Sequence, residues 1–520
     1  MTERVTRATP LGALVGLRSR AYGRAVDRFA GIPYALAPVG ARRFRAPVPA
    51  GGWSGERDAT QPAAAQPQVV GGPELVPGKP PARFDDDSLT VTVWAPDGGG
   101  PHPVLVWIHG GSFMIGAASL PSYDAERFAA DGDVVVVSIN YRLGALGFMT
   151  VPNDETDTWA NCGLLDQALA LRWVRDHIAA FGGDPANVTV FGESAGGGSI
   201  LHLLALPAAR GLFDRAIVQS GSTGRTLTSD QAAQISAVVL DELGIARATT
   251  AAIDALTSDA VIAAQTRAAG KLFGIAGLLP FHPALDPDTL PRTPLAALAA
   301  GDAREIDLLL GVTTDEMRLF LEGPSIEPER LHKRVRRYFD LDDETTANML
   351  GVCAEMLRAD GESAEPIDVW ARLYSDREML VPAIAALDTH SIKSRRTFGY
   401  RFDWPARPRA DGLELRACHG VDIPFTFGTF AVEGWETFVG ADTDPDGAHA
   451  LSAALRASWC AFARTGDPSH DGVGTWPAYR DAQRSMMRLG PRRGAEDDPV
   501  ARRLALLAAA GVTPGGMIWA

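Results

Sequence analysis

The chain has 520 residues, 46% of them hydrophobic and 22% charged, the balance of a water-soluble globular protein with a large core. Its net charge of −14 excludes an electrostatic nucleic-acid binder, because phosphate binding needs a basic face. No apolar stretch is long enough to cross a bilayer.

The residues after Met1 contain no apolar segment of signal-peptide length. Up to about residue 100, short strand-like pieces alternate with Pro/Gly turns, and Ala59–Pro81, rich in Pro, Gly, Ala and Gln, reads as a long surface loop. A regular alternation follows. Val104–Ile108 and Val134–Ile139 are continuous apolar runs, as expected of strands buried on both faces. Leu164 to Phe181 places Leu165, Ala168, Leu169, Leu171, Trp173, Val174 and Ile178 at helical spacing. Val188–Phe191, Ala216–Val218, Ile306–Val312 and Thr397–Phe402 are further strands, and Ser199–Leu206 continues a helix. Strands alternating with helices predict an α/β fold with a mostly parallel sheet and helices on both faces. The intervals 223–300 and 321–395 are too long for plain connections and have helical composition, so they read as cap-like insertions on a single domain spanning residues 1–520.

Four cysteines, Cys162, Cys353, Cys418 and Cys460, are widely spaced, without metal-ligand rhythm. A reduced, cytoplasmic protein is expected, with a monomer favoured and no metal or cofactor.

Between the strand ending at Phe191 and the helix near Ser199 lies Gly192-Glu193-Ser194-Ala195-Gly196. A Gly-x-Ser-x-Gly turn between strand and helix holds the serine on a tight, strained backbone with its hydroxyl exposed. Such a serine needs a base, normally a histidine oriented by a carboxylate, in the chain order nucleophile, acid, histidine. The acid is expected just beyond a downstream strand, where Ile306–Val312 runs into Thr313-Thr314-Asp315-Glu316. Either Asp315 or Glu316 could serve, and Asp315 also suits a helix cap. Six histidines stand beyond in the right half of the chain: His282, His332, His390, His419, His449 and His470. Only His419, His449 and His470 follow the last strand. His449 opens a helix and His470 sits in a polar loop, whereas His419 lies in the small-residue loop Ala417-Cys418-His419-Gly420. His109-Gly110-Gly111-Ser112-Phe113 directly follows the strand Val104–Ile108, and its glycine amides, with that of Ala195, form a candidate oxyanion hole of Gly110, Gly111 and Ala195. His109 itself reads as structural.

With these motifs the chain resembles the type B carboxylesterase/lipase family, on the α/β-hydrolase fold. Phe29–Ala35 with Arg43-Phe44, Asn140–Gly144 with Gly147-Phe148, Asn161–Gln167, Phe181–Pro185, Gln219–Ser222, Trp459 with Phe462–Gly466, and Trp476-Pro477 with Tyr479 carry the likeness over nearly the whole chain. The resemblance implies Ser194 as nucleophile, Glu316 as acid and His419 as base, in a cofactor-independent hydrolysis of small-molecule carboxylic esters. Amides, carbamates or thioesters are the alternative substrates. Some members of the family are non-catalytic adhesion proteins, but these typically lose the nucleophile. The chain departs from the family at Met317, where glycine commonly follows the acid, and at Ser88, where secreted animal members carry a cysteine. Residues 60–85 lack the tryptophan with which cholinesterases bind choline, so a quaternary-ammonium substrate is not expected. Pocket walls are expected from Phe113, Met114, Phe273, Leu278, Leu279, Phe281, Met317, Leu319, Phe320 and Phe425.

Overall fold

The structure, a computed structural model, describes residues 2–70, 76–77, 81, 83–152, 158–277, 279–394 and 396–512. A sheet of thirteen strands organises them. Seven neighbours run parallel, in the spatial order Val135–Ile139, His102–Ile108, Gly183–Glu193, Arg215–Gln219, Asp307–Thr313, Thr397–Phe402 and Met486–Leu489. Antiparallel strands flank them on both sides, including Glu3–Thr9, Gly12–Tyr22, Arg24–Pro33 and Thr90–Pro96 at the N-terminal edge.

Alternation along the strands divides the core between the two faces of the sheet. Val104, Val106 and Ile108 face one hydrophobic cluster, and Leu105 and Trp107 face the other. Both faces are covered, which is why these strands read as unbroken apolar runs rather than alternating ones. The predicted helix over 164–181 is an α-helix, Cys162–His177, continued by a 3-10 turn, Ile178–Phe181. The interval 223–300 carries the helices Ser229–Glu242, Thr250–Asp254, Ser258–Ala276 and Pro294–Ala300. The interval 321–395 carries Pro328–Phe339, Asp343–Ala359, Pro366–Ser375 and Val381–Lys393.

Two sequence expectations change. The N-terminal strands are long, with 11 residues in Gly12–Tyr22 and 10 in Arg24–Pro33. From Ala59 to Gln68 the chain is irregular but not superficial: Ala59, Ala64, Ala65, Gln66 and Gln68 are buried. Polar anchors hold it inside. Asn140 Nδ2 donates to the Ala64 carbonyl, and the Gln68 amide both donates to the Gly116 carbonyl and accepts from the Gly116 N–H. Backbone polar groups thereby find partners away from water, the condition for burying a loop.

The parallel strands place their carboxyl ends on one edge. Chain order reverses there, since the strand after His102–Ile108 pairs on one side and Gly183–Glu193 on the other. In open α/β sheets such a reversal leaves a crevice where ligands bind.

Candidate active site

Ser194 stands at the end of strand Gly183–Glu193 and immediately before helix Ala195–Leu203. Its backbone, at φ 57° and ψ −122°, is in a region a side-chain-bearing residue rarely occupies. Two bonds hold the turn: Ser194 N–H donates to the Gln219 carbonyl, and Gly198 N–H to the Ser194 carbonyl. The motif glycines are there for close approach. A Cβ at Gly196 would overlap the Ile108 carbonyl oxygen.

The Ser194 hydroxyl lies 2.7 Å from His419 Nε2, and His419 Nδ1–H donates to Glu316 Oε2 at 2.5 Å. The second Glu316 oxygen accepts from the Ser220 hydroxyl at 2.6 Å and the Thr313 amide at 2.8 Å. The structure therefore brings Ser194, His419 and Glu316 together from the ends of three strands. Their chain separations of 225 and 103 residues make this a purely tertiary event. His449 is exposed and meets Phe430 edge-on, and His470 bonds the Ala454 carbonyl and the Ser458 hydroxyl. Asp315 does not cap the 3-10 turn Glu316–Phe320 that it precedes; it bonds Arg318 instead.

The loop after Ile108 closes over the serine. The position of a Gly110 Cβ would be 2.9 Å from the Glu193 carbonyl oxygen and 3.0 Å from Ser194 Cβ, closer than a side chain sits without a shift of the serine turn. Gly111 adopts φ 110°, and a Cβ there would overlap the Ile115 carbonyl. The amides of Gly110 and Gly111 donate to no backbone carbonyl among the described residues, while the Gly111 carbonyl accepts from Met114 and Ile115. Ala195 opens the helix Ala195–Leu203, where an amide has no intrahelical acceptor. His109 is structural: its ring stacks on Tyr141 at 4.5 Å, and Nδ1–H donates to the Gly110 carbonyl. Burial holds its pKa down at about 4, so it stays neutral.

Sequence reasoning left out three acidic or hydroxylic groups that surround His419. Glu193 is buried, with Oε1 3.3 Å from His419 Nε2 and without a hydrogen-bond partner. Burial pushes its carboxyl up to about 8, against the opposing pull of His419. Asp422 is buried with one oxygen on Gln219 Nε2, and burial likewise raises its pKa, to about 6. Ser220 is the third, and its hydroxyl donates to Glu316. All three lie within four residues of a motif residue, which is the signal that points to them. Burial disfavours the His419 imidazolium, but the carboxylates of Glu193, Glu316 and Asp422 outweigh it, so the ring holds its proton above the ordinary imidazole value.

The predicted wall residues divide. Phe113 is buried edge-on against Phe148 and His282, with its ring tip 3.7 Å from the Cβ position of Gly198 on the nucleophile helix. The Phe320 ring lies 5.5 Å from that of His419. Met114 and Leu279 are half-buried. Met317 is buried in the core, with its amide on Ser375 Oγ. Phe281 and Leu319 are also core residues. Phe425 is a correction: it is sealed among Phe402, Trp404 and Phe430 in the second core cluster, because its short helix Ile423–Phe427 packs against the helix Pro445–Thr465. Phe273 is another, since it is 59% exposed at the protein surface on the outer side of its helix. Leu278 lies outside the described residues. Among the described residues no three His, Cys, Asp or Glu side chains could jointly hold a metal ion, and no helix is long and apolar enough to cross a membrane.

The sequence profile of the carboxylesterase family matches residues 3–506. The chain is 40% identical over 487 residues to para-nitrobenzyl esterase of Bacillus subtilis (strain 168), covering 91% of this chain and 93% of that one. It is 36% identical to phenmedipham hydrolase of Pseudarthrobacter oxydans, covering 92% and 93%. Among solved structures, a thermophilic PNB esterase superposes with a TM-score of 0.81 at 36% identity, over 96% of this chain and 99% of that chain. The strained serine turn, the histidine and carboxylate behind it and the glycine loop above it thus belong to a protein of the carboxylesterase family, an α/β-hydrolase that cleaves carboxylic esters.

Proposed function

We propose that Ser194 is the nucleophile, His419 the general base, and Glu316 the carboxylate that orients it. The observation that carries this reading is the unbroken hydrogen-bonded line from the Ser194 hydroxyl through both His419 nitrogens to Glu316. The Ser194 proton passes to His419 Nε2 as the oxygen attacks the ester carbonyl. Glu316 stabilises the imidazolium so formed and fixes the tautomer with Nδ1 protonated. The amides of Gly110, Gly111 and Ala195 receive the oxyanion. Collapse breaks the bond to the alkoxy oxygen, which leaves as alcohol with the proton from Nε2. Water, deprotonated by the same nitrogen, then cleaves the acyl-enzyme to release the acid and restore Ser194.

The substrates are small-molecule esters with apolar acyl and alcohol parts, a reading supported by Phe113 against the helix after Ser194 and Phe320 beside His419. The para-nitrobenzyl esterase relative points to para-nitrobenzyl esters, and the phenmedipham hydrolase relative puts phenmedipham in the same panel. The same attack opens amide, carbamate or thioester carbonyls. We place the protein in a reducing bacterial cytoplasm as a monomeric, single-domain enzyme; four buried, unpaired cysteines support the reducing compartment.

The test is labelling with an organophosphate, followed by peptide mapping. One phosphorylated residue, Ser194, is expected. Modification of a different serine accompanied by full inactivation would overturn the reading.

A further inference from the structure

The carboxylate that binds His419 has a second carboxylate beside it in sequence. Glu316 accepts from neutral donors and from His419, but Asp315 points the other way, into a buried cluster of charges. Its Oδ1 accepts from Arg318 Nε at 3.2 Å and lies 3.9 Å from both Arg372 and Arg416. Arg318 continues to Asp368 at 2.5 Å, which also meets Arg416 at 3.3 Å. Glu362 completes the ring, accepting from Arg372 at 3.0 Å and from Arg416. Asp315, Arg318, Asp368 and Arg372 are all buried, with Arg318 only 1% exposed. Three carboxylates and three guanidinium groups leave the cluster formally neutral.

The cluster also joins the two segments that carry acid and base. Asp315 N–H donates to the Ala417 carbonyl, and His419 N–H donates to the Glu316 carbonyl. Arg318 Nη1 reaches the Glu414 carbonyl at 3.0 Å. Arg416, three residues before the histidine, is held at φ 51°, in left-handed backbone that a side-chain-bearing residue adopts only under constraint. Asp368 and Arg372 bring in the cap helix Pro366–Ser375, and Ser375 Oγ accepts from the Met317 amide.

We infer that Arg318 and Asp315 are positioning residues for the hydrolysis: their neutral, buried charge cluster clamps the acid turn to the base loop and keeps the field at His419 set by Glu316, Glu193 and Asp422 alone. The inference rests on His419 being the base, which is tested separately by His419→Ala. The groups facing His419 are Glu316 from the acid turn, Glu193 from the nucleophile strand, Asp422 from its own loop, and the Ser194 hydroxyl. None belongs to the cluster, so the cluster acts on the ring only when its balance is broken.

Charge balance gives this role a signature that mere structural support lacks. Arg318→Met leaves the cluster one charge negative beside Glu316. The imidazolium becomes easier to form, and the ascending limb of the kcat and kcat/KM pH profiles moves up. Asp315→Asn leaves it one charge positive and moves the limb down. Each shift is about 0.3–1 pH unit for a charge at this remove in a partly polarisable interior. The double variant Asp315→Asn/Arg318→Met is neutral again, and its limb returns towards that of the unaltered protein. Arg318→Met also loses about 10-fold in kcat through the loosened clamp, while KM changes by less than about twofold, because no member of the cluster touches substrate.

The experiment is stopped-flow or steady-state hydrolysis of a para-nitrophenyl ester across pH by the full chain and these variants. Opposite shifts in the single variants and return in the double support the inference. Shifts of the same sign, or limbs that stay in place, overturn it. Should Arg318→Met not fold, Glu362→Gln at the half-buried rim of the cluster decides alone: it leaves a positive charge and must move the limb down, and an unmoved limb refutes the inference. Arg318→Lys keeps the charge, and with it the limb of the unaltered protein.

Discussion

The two halves of the site are built differently. The serine turn and the glycine loop take their shape from backbone contacts between neighbouring strand ends, where small residues let Ile108, Gly110 and Gly196 approach closely. The acid turn and the base loop take theirs from side chains, through Glu316 with Ser220 and Thr313, and through the charge cluster around Asp315. The first half tolerates almost no added atom. The second is fixed by the charges and hydrogen bonds of those side chains. An enzyme can thus fix where an oxyanion sits through sterics, and how strongly a base holds its proton through electrostatics, on opposite sides of one crevice.

The largest expected effect falls on the first half. Ser194→Ala should lose about 10⁴–10⁶ in kcat, because the oxyanion donors and binding alone retain only residual catalysis. Its circular dichroism and melting temperature should match the unaltered protein, since the hydroxyl is not needed for packing. A Ser194→Ala enzyme that turns over normally would end the assignment of this half. His419→Ala should be comparably impaired, whereas His449→Ala and His470→Ala should hydrolyse ester at nearly the native rate; an inverted pattern moves the base to another loop.

Next in size is the contrast between the paired carboxylates. Glu316→Gln should lose about 10³–10⁴-fold in kcat, because an amide cannot stabilise the imidazolium and can hold the wrong tautomer. Asp315→Asn should lose less than about 10-fold, since its partners are arginines and not the base. Saturating-substrate rates for the two variants, side by side, distinguish electrostatic support of the base from direct contact with it. If Asp315→Asn proves the crippled variant, the two acids exchange roles.

The pH profile sharpens the electrostatic half further. Only neutral imidazole accepts the serine proton, and a base whose pKa is raised is neutral only at higher pH. The ascending limb of kcat/KM should therefore lie alkaline to the 6–7 expected of an unperturbed histidine, towards about 9. Glu193→Gln removes a carboxylate 3.3 Å from Nε2 and should move that limb down. An upward or absent shift in Glu193→Gln would show that this carboxyl does not act on the ring.

The smallest effect should come from the brace of the glycine loop. Gln68→Leu removes two hydrogen bonds to Gly116 and should cost about 1–3 kcal/mol of stability, read as a lowered urea midpoint with an unchanged slope. If stability is unaffected while kcat falls, the loop is held by Gln68 for catalysis alone.

The sequence alone determined the features that depend on local backbone chemistry. Unbroken apolar runs specified strands buried on both faces. Gly192–Gly196 specified a strained turn, because only small residues fit where a strand folds directly back into a helix. The order serine, acid, histidine narrowed ten histidines to three, and the family likeness singled out His419. Tertiary structure decided what depends on side chains from distant segments meeting in a dry interior. It turned Glu316 towards His419 and Asp315 towards three arginines, a choice between adjacent carboxylates that no local pattern encodes. It sent Phe425 into the core and Phe273 to the surface, although both read as apolar. It buried Ala64 to Gln68, in a stretch whose composition reads as a solvent loop, by supplying Asn140 and Gly116 as partners. It also gathered Glu193, Glu316 and Asp422 around one imidazole, and the proton affinity of His419 follows from that gathering, because desolvation and charge proximity act through space rather than along the chain.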